Sequence, residues 1–254
     1  MKYAYFILTL LIAIGFSCSP AKNKIAANEN LFSPIQKINH AYYSAKGKAP
    51  NWNLTISDKK IQLILDKDTI TTTSINPVLA MDSNVKRYRV ATPTHFITIQ
   101  IKHLAQANAI NEGAVYKTLI DYEHKTNHKV VHLEGQGNYL TDYRLHDIWS
   151  LVAINEKIVQ IADYNNQRPY LEINSHSNQI LGYSGCNQIK AQLFYEKEVL
   201  RITNIIAQEK ACVTKTIESD FLIALRKTTR YTLENNLLTF SNPDAILLQF
   251  KKVD

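Results

Sequence analysis

The sequence is short of the features that mark catalysis or nucleic-acid binding. It contains neither a His-Glu-x-x-His motif nor a glycine-rich phosphate loop, and it has only 7 glycines in 254 residues. The net charge is +7, but no run of five or six basic residues occurs, so a nucleic-acid partner is not expected. After the N-terminus, no apolar run is long enough to span a membrane. These absences favour a protein that acts by binding.

Two patterns come close to a catalytic or metal site, and both fail. Residues 182–185 read Gly-Tyr-Ser-Gly, as in a nucleophile elbow, but Cys186 stands where that motif requires glycine. His124, His128 and His132 recur every four residues and would share one face of a helix. The surrounding residues predict a hairpin, in which this spacing does not converge. We therefore predict no catalytic residue, no metal and no cofactor, and we expect that the protein is not an enzyme.

The N-terminus has the order of an export signal. Lys2 precedes an apolar run from Tyr3 to Phe16, and Ser17 and Cys18 follow. About 14 apolar residues are too few to cross a bilayer, and the order of charge, apolar run and small residues is typical of a secretory signal. A signal that ends at cysteine resembles a bacterial lipoprotein signal. Residues 1–17 are thus predicted to be removed and Cys18 to carry lipid, the alternative being ordinary secretion with a leftover thiol.

Residues 18–40 are predicted to form a tether between the lipid and the folded part, because they are rich in Lys, Asn and Ala without a clear apolar period. The residue after the lipidated cysteine is Ser19 and not Asp. By resemblance to the sorting rules of enteric bacteria, this predicts anchoring in the outer membrane with the body facing the periplasm.

The remaining chain has the length and composition of two modest domains. About 237 residues follow the signal, and 45% of the sequence is hydrophobic and 9% aromatic, which supplies ample material for packed cores. We place the boundary so that residues 41–145 form an N-terminal β-rich domain and residues 146–254 form a second domain.

Alternating apolar and polar residues predict short antiparallel strands. The alternation is clear in five segments, which are 52–56, 61–65, 96–101, 115–122 and 129–133. The first two form a hairpin around a polar turn, and the last two flank the histidine-containing turn. The predicted fold is mainly β within the α+β class: two antiparallel, partial-barrel-like domains, of which the second carries one packed helix.

The first half resembles an uncharacterised bacterial envelope domain. Residues 47–54, which include Trp52, resemble the Gly-x-Glu-Pro-x-Trp motif with which that domain begins, and the similarity continues through 80–82 and 133–140. Trp52 is the motif residue that we mark as a candidate for binding.

The first half also departs from that domain at three positions. Ala49 replaces the motif Glu, and Gln106 and Gln136 occupy the places of two cysteines. If the two cysteines form a disulfide in relatives, their joint replacement is expected, because a single remaining cysteine would be a reactive thiol. Whatever relatives do with that pair is not carried over to this chain.

The second half resembles the META domain of HslJ-type heat-shock lipoproteins. The resemblance rests on residues 169–173, on the Gly-x-x-Gly-Cys-Asn element at 182–187, on Ala211-Cys212, and on the order of apolar residues from 218 to 250. It spans about Trp149 to Val253. The resemblance implies an incomplete, strongly curved β-barrel with one helix against it.

The residues support this expectation on their own. Between Thr214 and Lys227 apolar positions recur at helical spacing, with a threonine available as N-cap and basic residues in the last turn. Gly182 and Gly185 suit a bulge or a tight corner, and Asn187 could hydrogen-bond to its own backbone. The alternative for these three residues is a ligand-binding loop.

Each of the two remaining cysteines lies in a motif of the META resemblance. In an oxidising compartment, Cys186 and Cys212 are expected to form a disulfide. The alternative is a thiol pair for copper or zinc, which would need more soft ligands than the segment offers.

The junction between the halves, residues 139–149, contains no proline and no glycine. Its polar residues include Arg144, His146 and Asp147, which we take as a polar network that docks the two domains, the alternative being an acid/base role.

These observations predict a lipid-anchored envelope module that engages an envelope protein or an apolar ligand, in stress response or as a chaperone of outer-membrane components. The alternative is a structural or stress-protective lipoprotein without a discrete ligand, including protease inhibition. The expected partners are the membrane, through the N-terminal lipid, and that protein or ligand.

Overall fold

Alternation of polar and apolar residues dominates the sequence, and the structure is accordingly built of β-strands. The computed structural model describes residues 40–80, 84–103, 116–164, 167–208 and 215–253. The predicted signal, the lipid site at Cys18 and the tether up to residue 39 lie outside this description. The described residues fall in one compact unit.

Strands β1 to β9 form the N-terminal sheet, which is antiparallel and curled into a half-barrel. Their order is β4-β3-β2-β1-β9-β8-β7-β6-β5, so two meanders are joined by the pairing of β1 with β9. The strands are β1 Ala41–Lys48, β2 Asn51–Ser57, β3 Lys60–Leu65, β4 Asp68–Thr73, β5 Val78–Leu79, β6 Val85–Ala91, β7 His95–His103, β8 Tyr116–His124 and β9 Val130–Tyr139.

Strands β10 to β18 form the C-terminal sheet, also antiparallel and curled. Its order is β15-β14-β13-β12-β10-β18-β17-β16, with β11 paired to β10. The elements are β10 Asp147–Ile154, β11 Lys157–Ile158, β12 Tyr170–Asn174, β13 Gln179–Tyr183, β14 Gln188–Glu196, β15 Val199–Ala207, α1 Lys215–Lys227, β16 Arg230–Glu234, β17 Leu237–Ser241 and β18 Ile246–Lys252. Short 3₁₀ turns lie at Tyr143–Leu145 and Ile161–Tyr164.

The first predicted hairpin is confirmed by the pairing of β2 with β3. Leu54 lies opposite Leu63 and Ile56 opposite Ile61, and all four side chains are buried. Successive strand residues point to opposite faces, so this register sends the alternating apolar set to one side of the sheet. The predicted mainly β fold with two curled antiparallel sheets is confirmed.

The predicted helix is confirmed as α1. Phe221, Ala224 and Leu225 are buried at helical spacing, whereas Ile223 on the other face is 43% exposed. The Phe221 ring meets Phe250 of β18 edge to face at 6.3 Å. Arg226 and Lys227 occupy the last turn, where positive charge favours the helix dipole.

The three regularly spaced histidines lie in the hairpin of β8 and β9, as the sequence predicted. His124 ends β8, His128 lies in the turn with a positive φ of 55°, and His132 is in β9. His128 and His132 contact different carboxylates, Glu123 at 3.0 Å and Asp121 at 2.8 Å. Across the described residues, no group of three or more His, Cys, Asp or Glu side chains is arranged to hold a metal ion.

Among the helices in the described ranges, none has both the length and the apolar character needed to cross a membrane.

Candidate functional site

The turn between β14 and β15 brings the two sheets into direct contact. Glu196, the last residue of β14, is buried although it is charged. The Tyr116 hydroxyl of β8 donates to Glu196 Oε1, and Lys86 Nζ of β6 lies 2.9 Å from Oε2. One carboxylate of the C-terminal sheet therefore satisfies two polar groups of the N-terminal sheet.

Glu196 is held in its ionised form by these partners. Burial would raise the pKa of Glu196, but the hydrogen bond from Tyr116 and the hydrogen bond and charge of Lys86 outweigh burial, so the pKa lies below its usual value of 4.5. A buried carboxylate that keeps its charge needs such partners, because an unpaired one would be strongly disfavoured.

Glu196 contacts a cluster of tyrosines in the N-terminal sheet through its hydrogen bond with Tyr116. Tyr139 meets both Tyr43 and Tyr116 edge to face, with ring centroids 4.9 Å apart in each pair. The Tyr43 hydroxyl bonds Thr118 Oγ1 at 2.7 Å, and Lys86 Nζ lies 4.5 Å from the centre of the Tyr139 ring. Burial is the main cause that raises the pKa of these three phenols, so all of them stay neutral.

Beside this contact, a cleft of about 330 Å³ opens between the two sheets. Its walls come from the start of β1, the segment after β9, the β14–β15 hairpin and β16. Tyr195 and Tyr231 line the cleft with their hydroxyl oxygens 3.5 Å apart. We call this cavity the intersheet cleft.

Asp142 anchors one wall of the intersheet cleft. It receives the Tyr231 hydroxyl at 2.9 Å and a bidentate contact from Arg144, whose Nε lies 3.0 Å and Nη2 2.6 Å from Asp142 Oδ2. Burial opposes the charge of Asp142, but the hydrogen bonds and charge of Arg144 prevail and hold the pKa below its usual 3.8. The Arg144 side chain is 50% exposed, so it is held in place while remaining open to solvent.

Lys197 contacts three other residues of the opposite wall. Its Nζ lies 4.7 Å from the centre of the Tyr42 ring, 3.5 Å from Asp58 Oδ1 and 4.0 Å from Glu198 Oε1. All four residues line the intersheet cleft. The lysine thus has a partner of opposite charge in each sheet.

The three candidate residues of the junction lie in different surroundings in the structure. Arg144 lines the intersheet cleft, whereas His146 and Asp147 do not. His146 ends the 3₁₀ turn and its backbone N–H donates to Tyr143 O at 3.0 Å. Asp147 pairs with Lys252 of β18 at 2.6 Å. Arg144 is more exposed than the composition of the junction suggested.

Trp52 lies in the core of the N-terminal sheet and is only 1% exposed. Its ring fills space that two glycines leave open, because a Cβ added at Gly47 would lie 2.2 Å from Trp52 Nε1, and one at Gly135 2.6 Å from Cζ2. The motif residues therefore make a packing unit. Its Nε1 has no hydrogen-bond partner among the described residues.

The Gly-x-x-Gly-Cys-Asn element forms a turn that is fastened to α1. Ser184 Oγ accepts the N–H of Asn187 at 3.1 Å and donates to Glu218, and Asn187 Nδ2 donates to Glu218 Oε2 at 3.1 Å. The Ser184 side chain thus bonds the backbone of the turn, and the Asn187 side chain links the turn to α1. These contacts give the turn a structural role in placing the helix.

The two glycines of that element act differently. Gly185 has a φ of +102°, and a Cβ there would lie 2.3 Å from Tyr164 Cδ1, so the tight corner predicted for it is present. Gly182 lies in regular register within β13, and a Cβ there would lie 2.4 Å from Tyr170 O. Gly182 therefore permits a close approach of strands rather than a bulge. Cys212 lies outside the described residues, so the pairing of Cys186 with it stays a prediction.

Sequence reasoning missed most residues of the cleft and of the sheet contact. Tyr195, Glu196, Lys197 and Glu198 read as the end of a strand and a polar hairpin turn, and Tyr231 reads as an ordinary strand residue. The one available signal was the segment from residue 142 to 147, which did point to this region.

Fold and site together define a mostly β protein with two curled antiparallel sheets, a helix packed on the second, and a polar, tyrosine-lined cleft between them. Within it, the family model of the META domain matches residues 143–254, which include the whole C-terminal sheet and α1. The predicted resemblance of the C-terminal half is therefore confirmed. The comparisons lend no support to the resemblance of the first half. No curated protein and no solved structure is significantly similar to the chain.

Proposed function

We propose that this protein is a lipid-anchored binding protein of the bacterial cell envelope that holds its ligand in the intersheet cleft. The observation that carries the proposal is the cleft itself, a cavity of about 330 Å³ with charged and phenolic groups converging from both sheets. Binding sites for small ligands are concave, begin at about 300 Å³, and place a few polar groups to orient the ligand. Tyr195 and Tyr231 belong to strands β14 and β16, which hold their hydroxyl groups rigidly.

The pKa shifts of four groups that line the cleft favour fixed hydrogen bonding over proton transfer by these groups. A general acid or base works best with a pKa near the working pH. Here the pKa of Asp142 lies below its usual value for the reasons given above. Burial raises the pKa of Tyr195 and Tyr231, and the hydrogen bonds to Asp142 raise that of Arg144. The pKa values of all four groups are shifted away from neutral pH, which suits groups that act as fixed hydrogen-bonding partners.

The lining favours a polar ligand over the apolar ligand that the sequence suggested. Its aliphatic side chains are few, being Ala41, Leu140 and Leu233. The other lining residues carry hydroxyl, phenol, imidazole or charged groups. Capture of an envelope protein and a structural role without a ligand are the competing outcomes of the binding experiment below.

A binding experiment with a blocked cleft tests the proposal. Thr232, an exposed residue of β16, lines the cleft, so Thr232→Trp should fill it. Thr203→Trp is the matched control, because Thr203 is exposed on β15 and does not line the cleft. Small-molecule and macromolecular fractions of a cell-envelope extract are added separately to isotope-labelled protein, and amide NMR shifts are recorded.

We expect one fraction to shift the amides of Asp142 and Arg144 in the wild type and the control but not in Thr232→Trp. If no fraction shifts them, the protein is not a small-ligand binder and the structural alternative takes its place. If a macromolecular partner binds equally well to Thr232→Trp, the cleft is not the binding site.

The proposed anchor is lipid on Cys18, in the outer membrane with the body facing the periplasm. Its support is the order of residues 1–18 and Ser19 after the cysteine. Cys18→Ala should release the protein from membranes because the thiol to which the lipid would be attached is lost, whereas Ser19→Ala should stay bound. Membrane fractionation measures this, and a Cys18→Ala protein that remains in the pellet after a carbonate wash would refute the lipid anchor.

We also propose that Cys186 and Cys212 form the expected disulfide. Asn187, next to Cys186, bonds Glu218 of α1, and Cys212 precedes Glu218 by six positions in the chain. The bond would close a loop that stabilises by about 3 to 4 kcal/mol in the chain-entropy model. Alkylation without reductant should modify neither cysteine by intact mass, and reduction should lower the melting temperature. Two free thiols in freshly purified protein would disprove the bond.

A further inference from the structure

Each Asp, Glu, Lys and Arg side chain that lines the intersheet cleft already has a partner of opposite charge within the protein. Arg144 is paired with Asp142 at 2.6 Å, and Lys197 lies within 4.0 Å of both Asp58 and Glu198. A charged ligand would have to compete with one of these internal partners and leave a charge uncompensated. A neutral ligand avoids that competition and can still use the hydrogen-bonding capacity that remains on each group.

The hydrogen-bonding capacity that remains in the cleft includes both donors and acceptors. Arg144 engages Asp142 through Nε and Nη2, and its guanidinium carries further N–H donors. Glu198, at the rim, is 87% exposed and offers carboxylate oxygens as acceptors. A ligand that matches both kinds of group must itself donate and accept, and the hydroxyl group does both.

The Tyr195 hydroxyl makes a long, weak hydrogen bond inside the cleft. Tyr231 gives its proton to Asp142 at 2.9 Å, so it can only accept from Tyr195, and that contact is 3.5 Å long, at the limit of a hydrogen bond. Burial keeps the Tyr195 phenol neutral. A ligand hydroxyl close to Tyr195 would complete its hydrogen bonding at a better distance.

Aromatic rings form the less polar part of the lining, and Tyr143, Tyr195 and Tyr231 belong to it. The negative face of an aromatic ring attracts the weakly positive C–H groups of a ligand. Molecules that combine a rim of hydroxyl groups with flat patches of C–H are saccharides. The volume lies at the small end of the range of about 300–1,000 Å³ seen for ligand sites, which suits a short saccharide.

We propose that the intersheet cleft binds a neutral saccharide, with Tyr195, Arg144 and Glu198 hydrogen-bonding its hydroxyl groups and the tyrosine rings packing on its C–H faces. The proposal rests on the binding function of the cleft and names the chemical class of its ligand. In an envelope protein, such a ligand could come from a glycan strand or from a free oligosaccharide.

The experiment is a calorimetric titration of the purified protein with four probes. Triacetylchitotriose and maltotriose are the neutral saccharides, inorganic phosphate tests an anion and spermidine tests a cation. We expect at least one saccharide to bind, with the charged probes at least about tenfold weaker because each must displace an internal ion pair. Binding to the trisaccharide that mimics glycan strands, but not to maltotriose, would assign the source to the glycan.

Two variants locate the saccharide. Tyr195→Phe removes one hydroxyl and should weaken binding about threefold to tenfold, the usual effect of one lost hydrogen bond. Tyr170→Phe is the control, because Tyr170 is a half-buried tyrosine of β12 that does not line the cleft. Thr232→Trp should abolish binding.

The outcomes separate this inference from the proposed function. Phosphate or spermidine binding that Thr232→Trp abolishes, without saccharide binding, would overturn the saccharide and leave the cleft as a binding site. Saccharide binding that is unchanged in both Tyr195→Phe and Thr232→Trp would place the sugar elsewhere and overturn this site. If no probe binds, the saccharide is refuted, and the extract experiment decides whether the cleft binds another ligand.

Discussion

The two sheets are built from the same kind of pattern and yet have different interiors. Both contain nine antiparallel strands in described residues, and both curl. The C-terminal sheet encloses an apolar core that α1 helps to cover, with Phe221, Phe240 and Phe250 packed edge to face. The N-terminal sheet instead buries tyrosines, among them Tyr43 and Tyr116. The difference is that the N-terminal sheet places phenol hydroxyl groups in its interior, and such groups need hydrogen-bond partners.

A buried phenol needs a partner, because leaving a buried polar group unsatisfied costs about 1 to 3 kcal/mol. Tyr43 finds its partner in Thr118 of the same sheet, whereas Tyr116 finds it in Glu196 of the other. The N-terminal sheet therefore depends on the C-terminal sheet for part of its polar satisfaction. Substitutions in the apolar interior and at this polar contact should therefore differ in their effects.

The largest effect is expected in the apolar interior. Phe221→Ala removes a fully buried ring between α1 and β18 and should lower the free energy of unfolding by about 3 to 5 kcal/mol. Ile223→Ala, on the exposed face of the same helix, should change it by less than about 1 kcal/mol. Chemical denaturation of both variants measures the difference. Equal losses would mean that α1 does not cover the core as described.

The second effect concerns the contact between the sheets. Glu196→Ala strips Lys86 and Tyr116 of their shared partner and should cost about 1 to 3 kcal/mol in unfolding free energy. Glu198→Ala, two residues further on the same hairpin and 87% exposed, serves as the control and should have little effect. A Glu196→Ala protein as stable as the control would show that the N-terminal sheet does not depend on this carboxylate.

A smaller effect is expected at the junction. Arg144→Ala leaves Asp142 with the Tyr231 hydroxyl and the backbone N–H of residue 144, and half of the arginine is already in solvent. The loss should be about 1 kcal/mol, at the low end for a removed partner. Limited proteolysis should cut faster near residues 139–149 in Arg144→Ala than in Arg87→Ala, an exposed arginine of β6. Equal rates would mean that the ion pair does not secure the junction.

The smallest effect is the dependence of stability on pH. The pKa values of Glu196 and Asp142 lie below their usual 4.5 and 3.8 in the folded state. Groups of this kind stabilise fully above the unfolded pKa, and that stabilisation is lost as the pH falls through the folded pKa. The melting temperature should therefore drop on going from about pH 6 to about pH 3, and Glu196→Gln should flatten part of the drop. A Glu196→Gln curve parallel to that of the wild type would contradict the assignment.

Local patterns in the sequence were enough to predict strands of the N-terminal sheet and the helix α1. The alternation at 52–56 and 61–65 sufficed for the β2–β3 hairpin, and the helical spacing in 214–227 sufficed for α1, because side-chain direction within a strand or helix depends on neighbours a few positions away. The tight corner at Gly185 could likewise be read from the glycine.

The tertiary structure alone decided the contact between the sheets and the cleft. Tyr116 and Lys86 meet Glu196 across 80 and 110 positions of the chain, and Tyr231 reaches Asp142 across 89. A glutamate in a polar hairpin turn is ordinarily exposed, and only the packing of one curled sheet against the other buries it. Sequence periodicity describes which face of an element is apolar, but it carries no information about which distant polar groups that face will meet. The fold class could therefore be predicted from the sequence, whereas the packing of the sheets determined the partners of Glu196 and Asp142.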